Sequence, residues 1–106
     1  MKNKTVPLST IAYARSGDKG TNSNIGVIAY TPEGYELIEK YLDADRVAQF
    51  FKQLEPRAVK RYTLPNLWAL NFVLEGVLAG GGSQSLRTDA QGKALGQAIL
   101  EMPIEI

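Results

Sequence analysis

Residues 66–82, NLWALNFVLEGVLAGGG, decide how the apolar mass of this chain is layered. Leu67, Leu70, Leu74, Val77 and Leu78 fall at i, i+3, i+7, i+10 and i+11. That spacing predicts a helix over 66–79, with Asn66 as its N-cap and the glycines at 80–82 ending it. Trp68, Phe72 and Val73 lie on the other side, so this helix is apolar nearly all round. It is then deeply buried, or a partner covers its second face. Trp68 is core or an interface anchor. Asn71 needs hydrogen-bond partners in such surroundings, and the nearby polar segment 15–20 is the expected source.

Upstream, STIAYAR (9–15) and NIGVIAY (24–30) are rich in β-branched and aromatic residues and read as strands. In the second, Ile25, Val27 and Ala29 share one face while Gly26, Ile28 and Tyr30 share the other; both faces are largely apolar, which suits a central, buried strand. The segment between them predicts a long-looped hairpin. TPEGYELIEKYL (31–42) carries a capping Thr31, Pro32 at the first helical position, and apolar residues at helical spacing. DADRVAQFFKQL (43–54) restarts that pattern behind Asp43, with Val47, Phe50, Phe51 and Leu54 as its stripe. RAVKRYTL (57–64) reads as a strand with its basic residues on the wetter face. In SQSLRTDAQGKALGQAILEMPIEI, Gly92 and Gly96 would together cost a helix about 2 kcal/mol. Ala98, Leu100, Met102, Ile104 and Ile106 alternate. A hairpin of 83–88 with 94 onward is therefore expected over a helix at 90–101, with Pro103 at an edge. The order β-β-α-α-β-α-β-β predicts an α+β two-layer sandwich, an antiparallel sheet with its helices on one face.

Composition bounds the function. The chain has 106 residues, enough for one small domain with a single core. Its net charge of +1 gives no electrostatic case for nucleic acid or an anionic membrane. No apolar run approaches a membrane span, and MKNKTVPLST has no apolar stretch behind its basic start. A cytoplasmic location is expected. There is no cysteine and no histidine. Thiolate chemistry, iron–sulfur clusters and the commonest general base and metal ligand are all missing. The sequence points to no metal and no cofactor, and independent catalysis would have to use carboxylates, cations, hydroxyls and backbone amides.

Two segments are dense in chemistry. In ARSGDKGTNSNIG (14–26), Gly17 and Gly20 allow amides to turn toward an anion, and Arg15 and Lys19 supply charge. Ser16 and Asn24 add hydrogen-bonding groups, and Asp18 is a candidate acid/base with Lys19 beside it. The spacing is not that of a phosphate-binding P-loop. A hairpin loop bonded to itself explains the same residues. In AGGGSQSLR (79–87), Gly81, Gly82 and Arg87 could approach a ligand, though a helix C-cap and connector explain them as well. This second segment matters only if it lies at the same end of the sheet as the first. Asp89 and Lys93 bracket a turn, where an exposed pair is worth only about 0.2–1 kcal/mol.

ARSGDKGTNSNIGVIA, RVAQFF and RYTLPNLWALNFVLEGVLAGGGSQSLRTDAQGKALGQAIL together resemble the AtuA-like family, specifically its small ferredoxin-fold domain. The resemblance runs from about residue 9 onward. It implies a ferredoxin-like α+β fold, a word for topology only. In longer relatives the module follows a much larger domain, and the family name is tied to acyclic terpene utilisation, which degrades isoprenoid acids as coenzyme A thioesters. The resemblance thus implies an accessory subunit that docks on a large AtuA-type protein chain. A small enzyme or half-site acting on an acyl-CoA-like anionic ligand is the alternative, with Asp18 as acid/base and Arg15, Lys19 and Arg87 holding the anion. A homo-oligomeric binding module is a third.

Overall fold

The computed structural model describes residues 4–20, 22–77 and 91–105; the side chains of Asp18, Lys19 and residues 91–94 lie outside that description. Six strands and three helices are present among these residues. A short strand β1 (Thr5–Pro7) and a 3-10 turn (Leu8–Thr10) lead into β2 (Ala12–Lys19) and β3 (Asn22–Ala29). Helices α1 (Pro32–Tyr41) and α2 (Ala44–Phe50) follow, then β4 (Ala58–Leu64) and β5 (Ala69–Glu75). The described chain ends with helix α3 (Gln91–Ile99) and β6 (Pro103–Glu105). Four strands form an antiparallel sheet in the order β2-β3-β5-β4, and β1 pairs with β6 in a separate two-stranded ribbon. The arrangement is α+β.

The inner face of the sheet is a row of small and apolar residues. Ser23, Ile25, Val27 and Ala29 of β3 are buried, as are Leu70, Phe72 and Leu74 of β5. Helix α1 adds Ile38 and the residue after it, Leu42; α2 adds Val47; α3 adds Leu95 and Ile99. Each fully buried aliphatic side chain is worth about 1.5–3 kcal/mol relative to exposure. The two central helices begin as their caps dictate. The Thr31 hydroxyl accepts from the Gly34 N–H at 2.9 Å, and the Asp43 carboxylate accepts from the Arg46 N–H at 2.7 Å. Arg61 reaches from the inner face of β4 to the C-terminal end of α1, donating to the carbonyls of Glu39 (2.9 Å) and Leu42 (3.0 Å). Its charge meets the negative end of the helix. Lys60 and Arg61 thus take opposite faces, because neighbours in a strand must, and only Lys60 is on the wetter one.

Three expectations are corrected. The helix expected over 66–79 does not form across 66–77: Pro65–Leu67 is a 3-10 turn and β5 follows. Leu70, Phe72 and Leu74 point inward with period two, while Asn71, Val73 and Glu75 alternate with them. The leucine spacing mimics a helical period, yet Leu67 is the most exposed large apolar residue among those described. With no helix there, no all-apolar helix is left seeking a partner, and Asn66 is no N-cap. Segment 14–26 is not a long loop either. The ladder continues through Arg15↔Gly26, Gly17↔Asn24 and Lys19↔Asn22, so the strands need only residues 20 and 21 between them. Gly20 takes φ +63° there, as tight hairpins require. Finally, 91–99 is a helix and not a strand. Leu95 and Ile99 are its buried i, i+4 pair, and Met102 just past its end is buried beside them. The expected partner strand at 83–88 lies outside the described residues. Pro103 does sit in a strand with a free edge, opposite Pro7.

Gly96, counted against a helix, is what lets this helix pack. A Cβ there would lie 2.7 Å from the Ser16 hydroxyl oxygen and 3.3 Å from the Ser16 nitrogen. The Gly96 N–H donates to that hydroxyl at 2.9 Å. Gly96→Ala should therefore lower unfolding free energy by about 1–3 kcal/mol, as overpacked sites do, measured by urea denaturation. A second expectation concerns Tyr35, whose hydroxyl is buried without a hydrogen-bond partner. Burial pushes its pKa above the ordinary 10.0, Glu39 adds to that, and Arg61 opposes it. The folded chain therefore favours the neutral phenol. Its contribution is complete below the ordinary value and fades as pH rises past it. Tyr35→Phe should leave stability at neutral pH unchanged or higher and flatten the alkaline fall, in denaturation curves run on both sides of pH 10.0.

Candidate functional site

The outer face of the four-stranded sheet carries no helix among the described residues. Strand register lays its side chains out in transverse rows. One row is Arg15, Gly26, Asn71 and Tyr62; the next toward the β2–β3 turn is Gly17, Asn24, Val73 and Lys60; the next the other way is Tyr13, Ile28, Ala69 and Leu64. The missing side chains of Gly17 and Gly26 leave a depression among their neighbours. Arg15, Asn24, Ile28 and Asn71 border it, with the two glycines as floor, in an open groove of about 460 Å³. Such a volume is within the range of small-molecule sites.

The fold does not account for these two glycines. A Cβ on Gly26 would find Asn71 Oδ1 at 3.8 Å and the Arg15 carbonyl at 3.9 Å; one on Gly17 would find Asn24 Oδ1 at 3.6 Å. These are ordinary contacts, and neither backbone has positive φ. Elsewhere glycine has a local cause. Gly34 has the Ile11 carbonyl 3.3 Å from its Cβ position, and Gly76 combines φ +81° with the Arg57 guanidinium 2.8 Å away.

Charge on this face is uneven. Lys60 and Glu75 form a salt bridge at 3.1 Å, and the hydrogen bond and charge of Glu75 raise the Lys60 pKa. Arg15 has no carboxylate partner among the described residues. Toward the far end the face turns apolar, with Tyr13 stacked on Tyr30 at a centroid distance of 5.6 Å.

The residues expected to form a site are thus divided. Arg15, Gly17 and Asn24 come together on the groove. Ser16 also lines the groove, but its hydroxyl is on the helix side, where it accepts from the Gly96 N–H. Gly20 is at the turn. Asp18 and Lys19 pair with Ser23 and Asn22 in the backbone ladder, and their side chains lie outside the described set, so the candidate acid/base has no geometry to report. Gly81, Gly82 and Arg87, and the Asp89–Lys93 pair, also lie outside it. The chain does leave β5 for that segment at the end of the sheet where β2 turns into β3, for the Gly76 N–H donates to Asn22 Oδ1 at 3.0 Å. Gly26, Ile28 and Asn71 are the members the sequence did not single out for a site. The signal was available only by pairing 69–75 as a strand against 23–28. Asn71 shares the groove with Arg15 but lies two strands away, and no hydrogen bond joins it to segment 15–20 among the described residues.

A second hollow, of about 550 Å³, is lined by Asp45, Arg46, Gln49, Phe50, Met102 and Pro103 and contains none of the candidates. No cluster of acidic residues that could hold a metal ion occurs among the described residues, and none of their helices is long and apolar enough to cross a membrane.

Among protein families, the AtuA ferredoxin-like domain matches residues 6–105. No curated protein and no solved structure matches the chain.

If the groove glycines serve no packing need, Gly17→Ala and Gly26→Ala should each leave stability unchanged or raise it by about 0.5–1 kcal/mol, the usual strand preference for alanine over glycine. Urea denaturation beside Gly96→Ala makes the comparison.

Proposed function

Because the chain belongs to the AtuA ferredoxin-like domain family, we propose that it is an accessory, interaction module that docks on a large AtuA-type protein through its open sheet face, in the breakdown of isoprenoid acids as coenzyme A thioesters. The observation that carries this is the clustering of large apolar side chains at one end of that face. There β2 begins, β3 ends, β4 ends and β5 begins. Tyr13, Tyr30, Leu64, Leu67 and Trp68 are all exposed at this end, Leu67 to 64%. Tyrosine and tryptophan are the residue types in which binding energy concentrates at interfaces.

Trp68 supports the same reading. Its φ is +54°, a conformation that bulky residues rarely adopt and that costs on the order of 1–3 kcal/mol. The Trp68 carbonyl accepts from the Ala29 N–H at 2.8 Å, and its N–H donates to the Pro65 carbonyl at 3.2 Å. These bonds hold a turn that keeps Leu67 and Trp68 partly in water. A second reading, in which the module holds an acyl-CoA-like anion with Arg15, Lys19 and Asp18, is favoured by the groove that Arg15 borders. A second copy of the chain is the remaining occupant of the apolar end.

The deciding experiment mixes the chain with the large AtuA-type protein of the same genome and measures the mass of the species in solution. A stoichiometric complex is expected, weakened at least tenfold by Leu67→Asp. Two separate species would overturn the docking, and a dimer of this chain alone would replace it with self-association.

A further inference from the structure

We propose that the groove floored by Gly17 and Gly26 binds the carboxylate end of a small organic acid. This rests on the ligand-holding reading of the groove and not on docking to a large partner. Glycine inside a strand weakens it and often marks a place where a ligand or another backbone comes close. Two such glycines lie in adjacent strands and adjacent rows of one face, and no described residue crowds either. What they create is a bare strip of backbone on which a flat group can rest.

The border of the strip defines the ligand chemistry. Arg15 offers a planar fork that matches a carboxylate with two parallel N–H···O bonds. Asn24 and Asn71 each bring an amide donor and an acceptor to the two sides of Gly26. A phosphate dianion is a poorer match. The described border supplies one cation, the described helices pack on the opposite face of the sheet, and Lys60 is engaged by Glu75. Beyond Arg15 the next row is Tyr13 and Ile28, an apolar shelf for a short hydrocarbon body. The site therefore takes a free acid with a flat or short apolar remainder, its charged end at Arg15.

The test is a titration of the full ¹⁵N-labelled chain with benzoate, hexanoate, benzamide and inorganic phosphate at millimolar concentration, followed by amide chemical shifts. Benzoate or hexanoate is expected to give saturable shifts at the Gly17 and Gly26 amides and the side-chain amides of Asn24 and Asn71. Benzamide should bind at least about tenfold more weakly, which is roughly 1.4 kcal/mol. Arg15→Gln should lose a similar factor while keeping the dispersed spectrum of a folded chain, and Gly26→Val should abolish the shifts. The inference is overturned by no saturable shift with either acid, by equal response to benzamide or phosphate, or by unchanged binding in Arg15→Gln. A chain that binds benzoate but not the large protein refutes docking alone; the opposite result refutes this site alone.

Discussion

Burial of one face of β3, and only one, is the constraint from which the rest of this molecule follows. Ser23, Ile25, Val27 and Ala29 must leave water together, so the three described helices collect on that side. The helix farthest along the chain does so through backbone contact. With Gly96 seated on Ser16, α3 lies close over β2, and β2 stays a strand through residues whose composition suits a loop. The polar side chains of Arg15 in β2 and Asn24 in β3 cost their strands little, because they alternate onto the face that remains in water.

That outer face is graded along the strands. The bonded pair Lys60–Glu75 lies toward the turn end, the glycine strip with Arg15 and the two asparagines in the middle, and the aromatic patch at the far end. A face of this kind can meet a protein at its apolar end and a small anion at its centre without either use disturbing the core. The charge balance fits a local site better than a broad electrostatic one, since a net charge of +1 creates no extended field.

Some of this was legible in the sequence. The caps at Thr31 and Asp43 announce α1 and α2, because a hydroxyl or carboxylate before an apolar stripe is a local cause with a local effect. The central place of β3 was legible from its apolar content, though only one of the two faces expected to be buried is so, and the α+β class from the mixture of elements. The helix expected at 66–79 failed because Leu67, Leu70 and Leu74 satisfy a helical period by chance, while Leu70, Phe72 and Leu74 satisfy a strand period by design of the sheet beside them. The strand expected from residue 94 failed for the converse reason. Gly96 is unfavourable to an isolated helix but necessary to one lying against Ser16.

The amino-acid sequence by itself determined what chemistry the chain can bring. It has no thiol and no imidazole, and its polar groups gather in ARSGDKGTNSNIG. It also determined the local starts of α1 and α2, since capping acts over a few residues. Only the tertiary structure decided which of those polar groups meet. The register of β3 between β2 and β5 brings Asn71 across from Gly26 and Gly26 across from Arg15. It sends Ser16 to the opposite side, because successive residues of a strand face opposite ways. Pairing between strands far apart in sequence sets that register, so no segment read alone contains it.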